Sequence, residues 1–128
     1  MGHKTFSAKS NQYRLQCMAQ TDANGLRTVN GRYCVALGTY YTSNIGQYFD
    51  LVLANGVTIP CVLGDVKANA HTDVTNTYTR FNGCMSEFIV DRMWLNPSVK
   101  QSGNVSSLFE TWDSPIVKVV VYNYDCLN

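Results

Sequence analysis

Two carboxylates in strand-like sequence are the residues of this chain whose types and spacing fit acid–base chemistry. Asp65 follows Gly64 at the end of an apolar run, and Glu87 lies within the next apolar run. Five of the nine acidic residues of the chain fall between Asp50 and Asp91. A rigid sheet can aim carboxylates at its strand ends into one cleft. The pattern therefore predicts that Asp65 and Glu87 act together as catalytic side chains.

Each of the two carboxylates has a functional and a structural interpretation. Glu87 stands before Phe88, and partial burial would keep its carboxyl protonated, as a general acid requires. Its alternative is the solvent face of an amphipathic strand. Asp65 would orient substrate or tune Glu87, or it would hold its own backbone in an Asx turn. Asp50 and Asp91 flank strands and are interpreted as structural.

Residues 67–82 form a long polar stretch that carries further candidate binding groups. A loop of that length inside a compact domain is usually functional or disordered. His71 and Asp73 are predicted to contact substrate; a metal pair and an acid–base helper stay open as alternatives. Lys67 is assigned to the same site, where it pairs with Asp65 or stays solvated. Three tyrosines in loop-like sequence are predicted to stack on sugar rings: Tyr40, Tyr41 and Tyr78.

The five cysteines do not form a metal-binding pattern. None lies in a Cys-x-x-Cys pair, which argues against a structural zinc site, and we predict neither a metal nor a cofactor. Cys34, Cys61 and Cys84 lie in apolar runs, where thiols behave as small buried hydrophobes, although a disulfide framework remains an alternative. Cys84 with His71 would also supply a nucleophile and a base.

The composition limits the classes of function. The 128 residues fit one domain, and an apolar content of 45% allows a real core. A net charge of +1 gives no electrostatic reason to expect a nucleic-acid partner. No apolar run approaches the roughly 20 residues that span a membrane. The first residues are polar, show no signal peptide and predict a flexible segment over residues 1–12.

Short apolar runs between Asn-Gly turns predict a mainly β domain. Strands are expected at residues 13–19, 32–37, 47–53, 57–63, 86–90 and 116–122, with a short helix at 105–112. The last strand is dense in valine and is expected to be well buried. Pro60 predicts an edge or a bulge within its strand. The pattern favours a small barrel or sandwich.

The order of several motifs resembles the 3D (three-aspartate) domain. That family is related to the catalytic domain of membrane-bound lytic murein transglycosylase A and to stationary-phase muralytic factors of Gram-positive bacteria. The resemblance implies a six-stranded double-psi β-barrel with one or two short helices over residues 13–128. The motifs that carry it are Tyr33-Cys34-Val35-Ala36-Leu37-Gly38, Ile45-Gly46, Leu51-Val52-Leu53, Gly56, Leu63-Gly64-Asp65 and Gly83-x-x-x-Glu87-Phe88.

The resemblance implies roles for two residues. Asp65 falls where the family has the aspartate of an Asp-Thr-Gly-Gly motif, with Val66-Lys67 in place of Thr-Gly. Glu87 falls where the family has its final aspartate, the acid/base. Leu37 or Gly38 occupies the place of the first aspartate. The implied activity is lytic transglycosylation of peptidoglycan glycan strands, outside the cell or at its wall. The alternatives are a non-catalytic carbohydrate-binding barrel and a structural or accessory module of a phage or secreted assembly.

Overall fold

The computed structural model describes residues 1–80 and 83–127, and it confirms a mainly β protein. One sheet contains seven strands, one more than predicted, and it is open. The strands are β1 (Gln20–Thr21), β2 (Arg27–Val29), β3 (Arg32–Leu37), β4 (Gln47–Leu53), β5 (Thr58–Val66), β6 (Ser86–Phe88) and β7 (Ile116–Asp125). The α-helices are α1 (Asn11–Met18) and α2 (Pro97–Ser102), and the 3₁₀ turns are His3–Thr5, Asn69–His71, Val105–Ser107 and Glu110–Trp112.

Strand β3 is the centre of the sheet. Its partner along one edge is β5, which runs parallel to it. Its other edge is shared, because β2 pairs with its first residues and β6 with its last three. Beyond β5 the sheet continues antiparallel through β4 to β7. Strand β3 therefore pairs with β2, β5 and β6 and fixes the register of these strands relative to one another.

Both faces of the central strands are covered. Four consecutive residues of β3, from Cys34 to Leu37, are buried, and this excludes a solvent-facing side there. On one face Gln16 of α1 lies next to the Cys34 thiol, and its neighbour Leu15 is fully buried. On the other face the ring of Trp112 meets the ring of Tyr33, with 5.2 Å between their centroids. A helix and a loop segment thus enclose the sheet centre.

The prediction of a strand at residues 13–19 is wrong, because residues 13–18 lie in helix α1 and Ala19 is its C-cap. Ser10 is its N-cap, and the Ser10 hydroxyl accepts a hydrogen bond from the backbone N–H of Tyr13 at 3.1 Å. Only Leu15 and Gln16 of this helix are buried, so its apolar signal is weak. The helix predicted at 105–112 is two 3₁₀ turns, and the first is capped by Asn104.

Strand β7 is present as predicted, but its expected burial is wrong. Among the described strands it is the last of the sheet, with β4 as its one partner. Val117 is 63% exposed and Tyr124 is 54% exposed. Pro60 lies one residue before the first β3–β5 pair, Tyr33 with Cys61. Among the described strands, β4 is the one that pairs with β5 at Pro60, so the N–H that proline lacks removes no hydrogen bond to β3.

The first residues of the chain pack against the end of β6. Gly2 forms a parallel bridge with Val90, and the backbone N–H of His3 donates to the Val90 carbonyl at 2.9 Å. The side chain of Phe6 packs on the hydrophobic core. Across the described ranges, neither helix combines the length and the apolar character needed to traverse a bilayer.

Candidate functional site

The two predicted catalytic carboxylates lie in one row across the sheet. Ala36 of β3 pairs with Asp65 of β5 on one side and with Glu87 of β6 on the other. Directly paired residues project to the same face of a sheet. With about 4.8 Å between neighbouring strands, the Cα atoms of Asp65 and Glu87 are roughly 10 Å apart.

A bulge at Gly64 puts Asp65 in that row. The β3–β5 register steps from Val35–Leu63 to Ala36–Asp65, so Gly64 is the extra residue. An unbroken register would pair Asp65 with Leu37 and turn its side chain to the opposite face. A Cβ on Gly64 would lie 2.3 Å from Cδ1 of the buried Ile89, so any larger residue at this position would force the Ile89 side chain to shift. The bulge at Gly64 therefore directs the Asp65 carboxylate to the same face of the sheet as Glu87.

Helix α1 holds the Asp65 carboxylate. The side-chain amide of Gln12 donates a hydrogen bond to Oδ1 of Asp65 at 3.1 Å. The two residues are 53 positions apart in the chain, so this is a tertiary contact rather than a local turn. The N-terminal helix thus reaches the candidate site, a contribution that sequence reasoning missed because Gln12 was placed in the flexible segment 1–12 and residues 13–19 were predicted as a strand.

Two amino groups interact electrostatically with the half-buried Glu87 side chain. Burial lowers the pKa of the Lys67 ammonium, and the negative charge of Glu87 opposes that shift. Burial likewise lowers the pKa of the amino group of Met1, again against the charge of Glu87. Lys67 Nζ also donates to the Cys84 carbonyl at 2.5 Å. The predicted partner of Lys67 was Asp65, whereas the charge that acts on it is that of Glu87.

Glu87 also lines a pocket of about 540 Å³. The pocket lies beside β6 and α2, and its wall includes Cys84, Phe88, Arg92, Lys100 and Asn104. Asp65 does not belong to the wall, so the row of carboxylates and the pocket meet at Glu87. Arg92 and Lys100 were not among the predicted site residues, since isolated surface cations carry no motif.

Asp73 organises the long loop. Its carboxylate accepts hydrogen bonds from the Thr75 hydroxyl and from the backbone N–H groups of Thr77 and Tyr78. The bond from the Thr77 N–H is the main reason that the pKa of Asp73 is lowered. These bonds fold the loop on itself around the fully buried Thr72. The Asp73 carboxylate oxygens, which were predicted to contact substrate, therefore accept the hydrogen bonds that fix the conformation of the loop.

The loop rests on Gly38, at the end of β3. The carbonyl oxygen of Asn76 accepts a hydrogen bond from the backbone N–H of Tyr40 at 3.1 Å. A Cβ on Gly38 would lie 2.1 Å from that oxygen. Glycine is thus required for the loop to close over the strand end, next to the row that contains Glu87.

The three predicted substrate tyrosines come together beside this loop. The rings of Tyr40 and Tyr41 meet edge to face with 4.9 Å between their centroids. Burial raises the pKa of Tyr41, and Tyr78 and Tyr40 add to the shift as nearby titrating groups. Tyr40 and Tyr78 are exposed, as is His71. The cluster offers aromatic surface at the rim of the candidate site.

Within residues 1–80 and 83–127, no three side chains of His, Cys, Asp or Glu come together in a way that could hold a metal ion.

The comparisons with known proteins add no relative. No protein-family model, curated protein or solved structure matches the chain.

The Gly38 contact leads to a stability prediction. Gly38→Ala is expected to destabilise the protein by about 2 kcal/mol, because overpacked sites typically cost 1–3 kcal/mol. The Asn76 carbonyl must move, so the loop should also become sensitive to protease. Urea unfolding and limited proteolysis measure the two effects.

Gly56→Ala is the control for that prediction. Gly56 has a φ of +87° and no atom within 4 Å of an added Cβ, so the substitution brings strain but no clash. It should leave proteolysis of residues 69–80 unchanged. Equal protease sensitivity in Gly38→Ala and the parent protein would contradict the close packing of the loop.

The buried thiols predict a reactivity pattern. Burial raises the pKa of Cys34 to about 12 and that of Cys61 well above its ordinary value. Thiolates are the reactive form, so neither should react with iodoacetamide in the native protein near pH 8. The burial predicted for Cys84 is wrong, because Cys84 is exposed, as is Cys17, and these two thiols should be alkylated first. Peptide mass spectrometry after timed alkylation distinguishes the sites, and early modification of Cys34 or Cys61 would show that the core opens.

Proposed function

We propose that this chain binds and cleaves the glycan strands of peptidoglycan as a lytic transglycosylase, with Glu87 as the general acid and base. The observation that carries the proposal is the position of Glu87. Its carboxyl group is half-buried, shares a sheet row with Asp65 and lines a pocket of about 540 Å³. Pockets that bury small ligands have volumes of about 300–1,000 Å³.

A single carboxyl group serves both halves of the proposed reaction. Glu87 first donates its proton to the glycosidic oxygen, and the bond from that oxygen to C1 of the muramyl sugar breaks. The resulting carboxylate then takes the proton of the C6 hydroxyl as O6 attacks C1. A 1,6-anhydro ring forms, Glu87 regains its proton and no water is consumed.

Asp65, Lys67 and the tyrosines have supporting roles in this mechanism. Asp65, fixed by Gln12 and in the same sheet row as Glu87, stabilises the positive charge that develops on the sugar ring. Lys67 stabilises the carboxylate form of Glu87 in the second step. The exposed rings of Tyr40 and Tyr78 stack on neighbouring sugars along the strand. The mechanism needs no cofactor.

We also propose that the open sheet is a divergent double-psi β-barrel. One strand arrangement supports this proposal. Strand β5 lies between β3 and β4, which run antiparallel to each other, and it is joined to β4 by a hairpin. Such an insertion of one strand between two antiparallel strands is the defining feature of a psi motif.

A glycan substrate places the protein outside the cell or at its wall. The second candidate function is carbohydrate binding without cleavage. The observation that favours it is the exposed tyrosine cluster, which requires no catalytic group. Replacement of the family's first aspartate by Leu37 or Gly38 also suits a binding role.

Digestion of purified peptidoglycan tests the proposal. The soluble products are analysed by mass spectrometry after incubation with the full chain. Products that end in 1,6-anhydromuramic acid support lytic transglycosylation. Products with reducing ends would instead show that the chain is a hydrolase. Intact glycan that retains the protein in a pull-down would favour the binding role.

A further inference from the structure

The pocket beside Glu87 combines an apolar floor with a cationic rim. Phe88, Val90 and Val99 contribute to its wall and are at most 8% exposed. Arg92 and Lys100 line it as well, and both are exposed residues. The floor suits small alkyl groups, while the rim suits a negative charge.

Within residues 1–80 and 83–127, neither Arg92 nor Lys100 forms an ion pair, since the one ion pair there is Arg32 with Asp50, at 3.0 Å. Of the described residues that form the pocket wall, Glu87 alone carries a carboxylate, and its charge already acts on Lys67 and on the Met1 amino group. The pocket therefore has an excess of positive charge that an anionic ligand would neutralise.

The backbones that carry the cations are anchored. Arg92 follows Asp91, whose carboxylate accepts hydrogen bonds from the Thr21 hydroxyl and the Met93 N–H, each at 3.1 Å. Lys100 lies on α2, whose N-cap Asn96 accepts a hydrogen bond from the Ser98 N–H at 2.9 Å. Fixed backbones reduce the entropy lost when the side chains bind a ligand.

We propose that this pocket binds the carboxylate-bearing peptide substituent of the muramyl sugar. Arg92 and Lys100 donate charge-assisted hydrogen bonds to its carboxylates, and the alanine methyl group lies on the apolar floor. The inference rests on the proposed function, and it names the form of glycan that the site selects. A peptide-bearing strand binds in preference to a bare one, with the muramyl sugar next to Glu87.

The test uses two small ligands that contain no cleavable glycosidic bond. One is N-acetylmuramoyl-L-alanyl-D-glutamic acid, and the other is the same molecule with both carboxyls converted to amides. Calorimetry with the full chain should show the diacid binding about tenfold more tightly than the diamide. Arg92→Gln and Lys100→Gln should each weaken diacid binding by about three- to tenfold and change diamide binding by less than about twofold.

Lys118→Gln is the matched control, since Lys118 is an exposed cation on β7, outside the pocket wall. Equal affinity for the two ligands, or an equal effect of Lys118→Gln, would overturn the peptide pocket even if the chain cleaves glycan. Charge-dependent diacid binding that needs Arg92 and Lys100 supports the pocket even if no cleavage is found, and only the proposed reaction then falls.

Discussion

Replacing Glu87 with glutamine is expected to lower peptidoglycan cleavage by about a hundredfold to ten-thousandfold, the usual contribution of a general acid–base group. Glutamine has nearly the same shape as the glutamate side chain, but its amide cannot donate and retrieve the proton. The measurement is the rate at which anhydro-ended fragments are released from purified peptidoglycan. Unfolding in urea should remain within about 1 kcal/mol of the parent protein, since Glu87 is only half-buried.

The chain offers a matched control, because it contains one other glutamate. Glu110 is exposed at the start of a 3₁₀ turn, outside the pocket wall. Glu110→Gln removes the same charge and should leave cleavage unchanged. A structural readout is available as well: loss of the Glu87 charge should lower the pKa of Lys67 further, because that charge now raises it. Undiminished turnover in folded Glu87→Gln protein would remove Glu87 from the mechanism.

Local sequence rules were sufficient for several elements of the fold. The strands predicted at residues 32–37 and 47–53 match β3 and β4 residue for residue. Asn55-Gly56 was predicted as a hairpin turn, and it joins β4 to β5. Short apolar runs and Asn-Gly turns are local signals, and tertiary contacts did not override them at these positions.

Other features depend on partners that are distant in the chain. The burial predicted for residues 116–122 failed because valine-rich sequence does not say whether a strand has one neighbour or two. The row of Asp65, Ala36 and Glu87 depends on a parallel pairing and on a bulge at Gly64. A one-residue slip would place Asp65 on the opposite face, and no local pattern sets that register. Sequence could therefore propose the two carboxylates but not their arrangement.

The second large effect that we expect is a loss of stability when Arg32 is replaced. Its guanidinium pairs with Asp50 at 3.0 Å and also donates to the carbonyls of Phe49 and Cys61. It lies over the rings of Tyr48 and Tyr122, 4.6 and 5.3 Å from their centroids. Arg32→Met should lower the free energy of unfolding by about 3 kcal/mol, because breaking a largely buried pair leaves an uncompensated carboxylate. Urea denaturation measures it.

A double-mutant cycle separates the ion pair from packing. Asp50→Asn alone should cost less, and the double variant should cost at least about 1 kcal/mol less than the sum of the single variants. Additive effects would contradict a direct coupling between the two side chains.

Tyr122 gives an independent readout of the same cluster. Its hydroxyl donates to the Asp50 carboxylate, and this hydrogen bond is the main reason that the pKa of Tyr122 is raised. The folded state thus holds this proton more tightly than the unfolded state. Its contribution to stability is complete below the ordinary tyrosine value of 10.0 and is lost as pH rises through the raised pKa. Asp50→Asn should bring that tyrosine back toward the ordinary value in a phenolate absorbance titration. An unchanged titration curve would mean that the Asp50 carboxylate does not hold the Tyr122 hydroxyl in solution, and would contradict this part of the cluster.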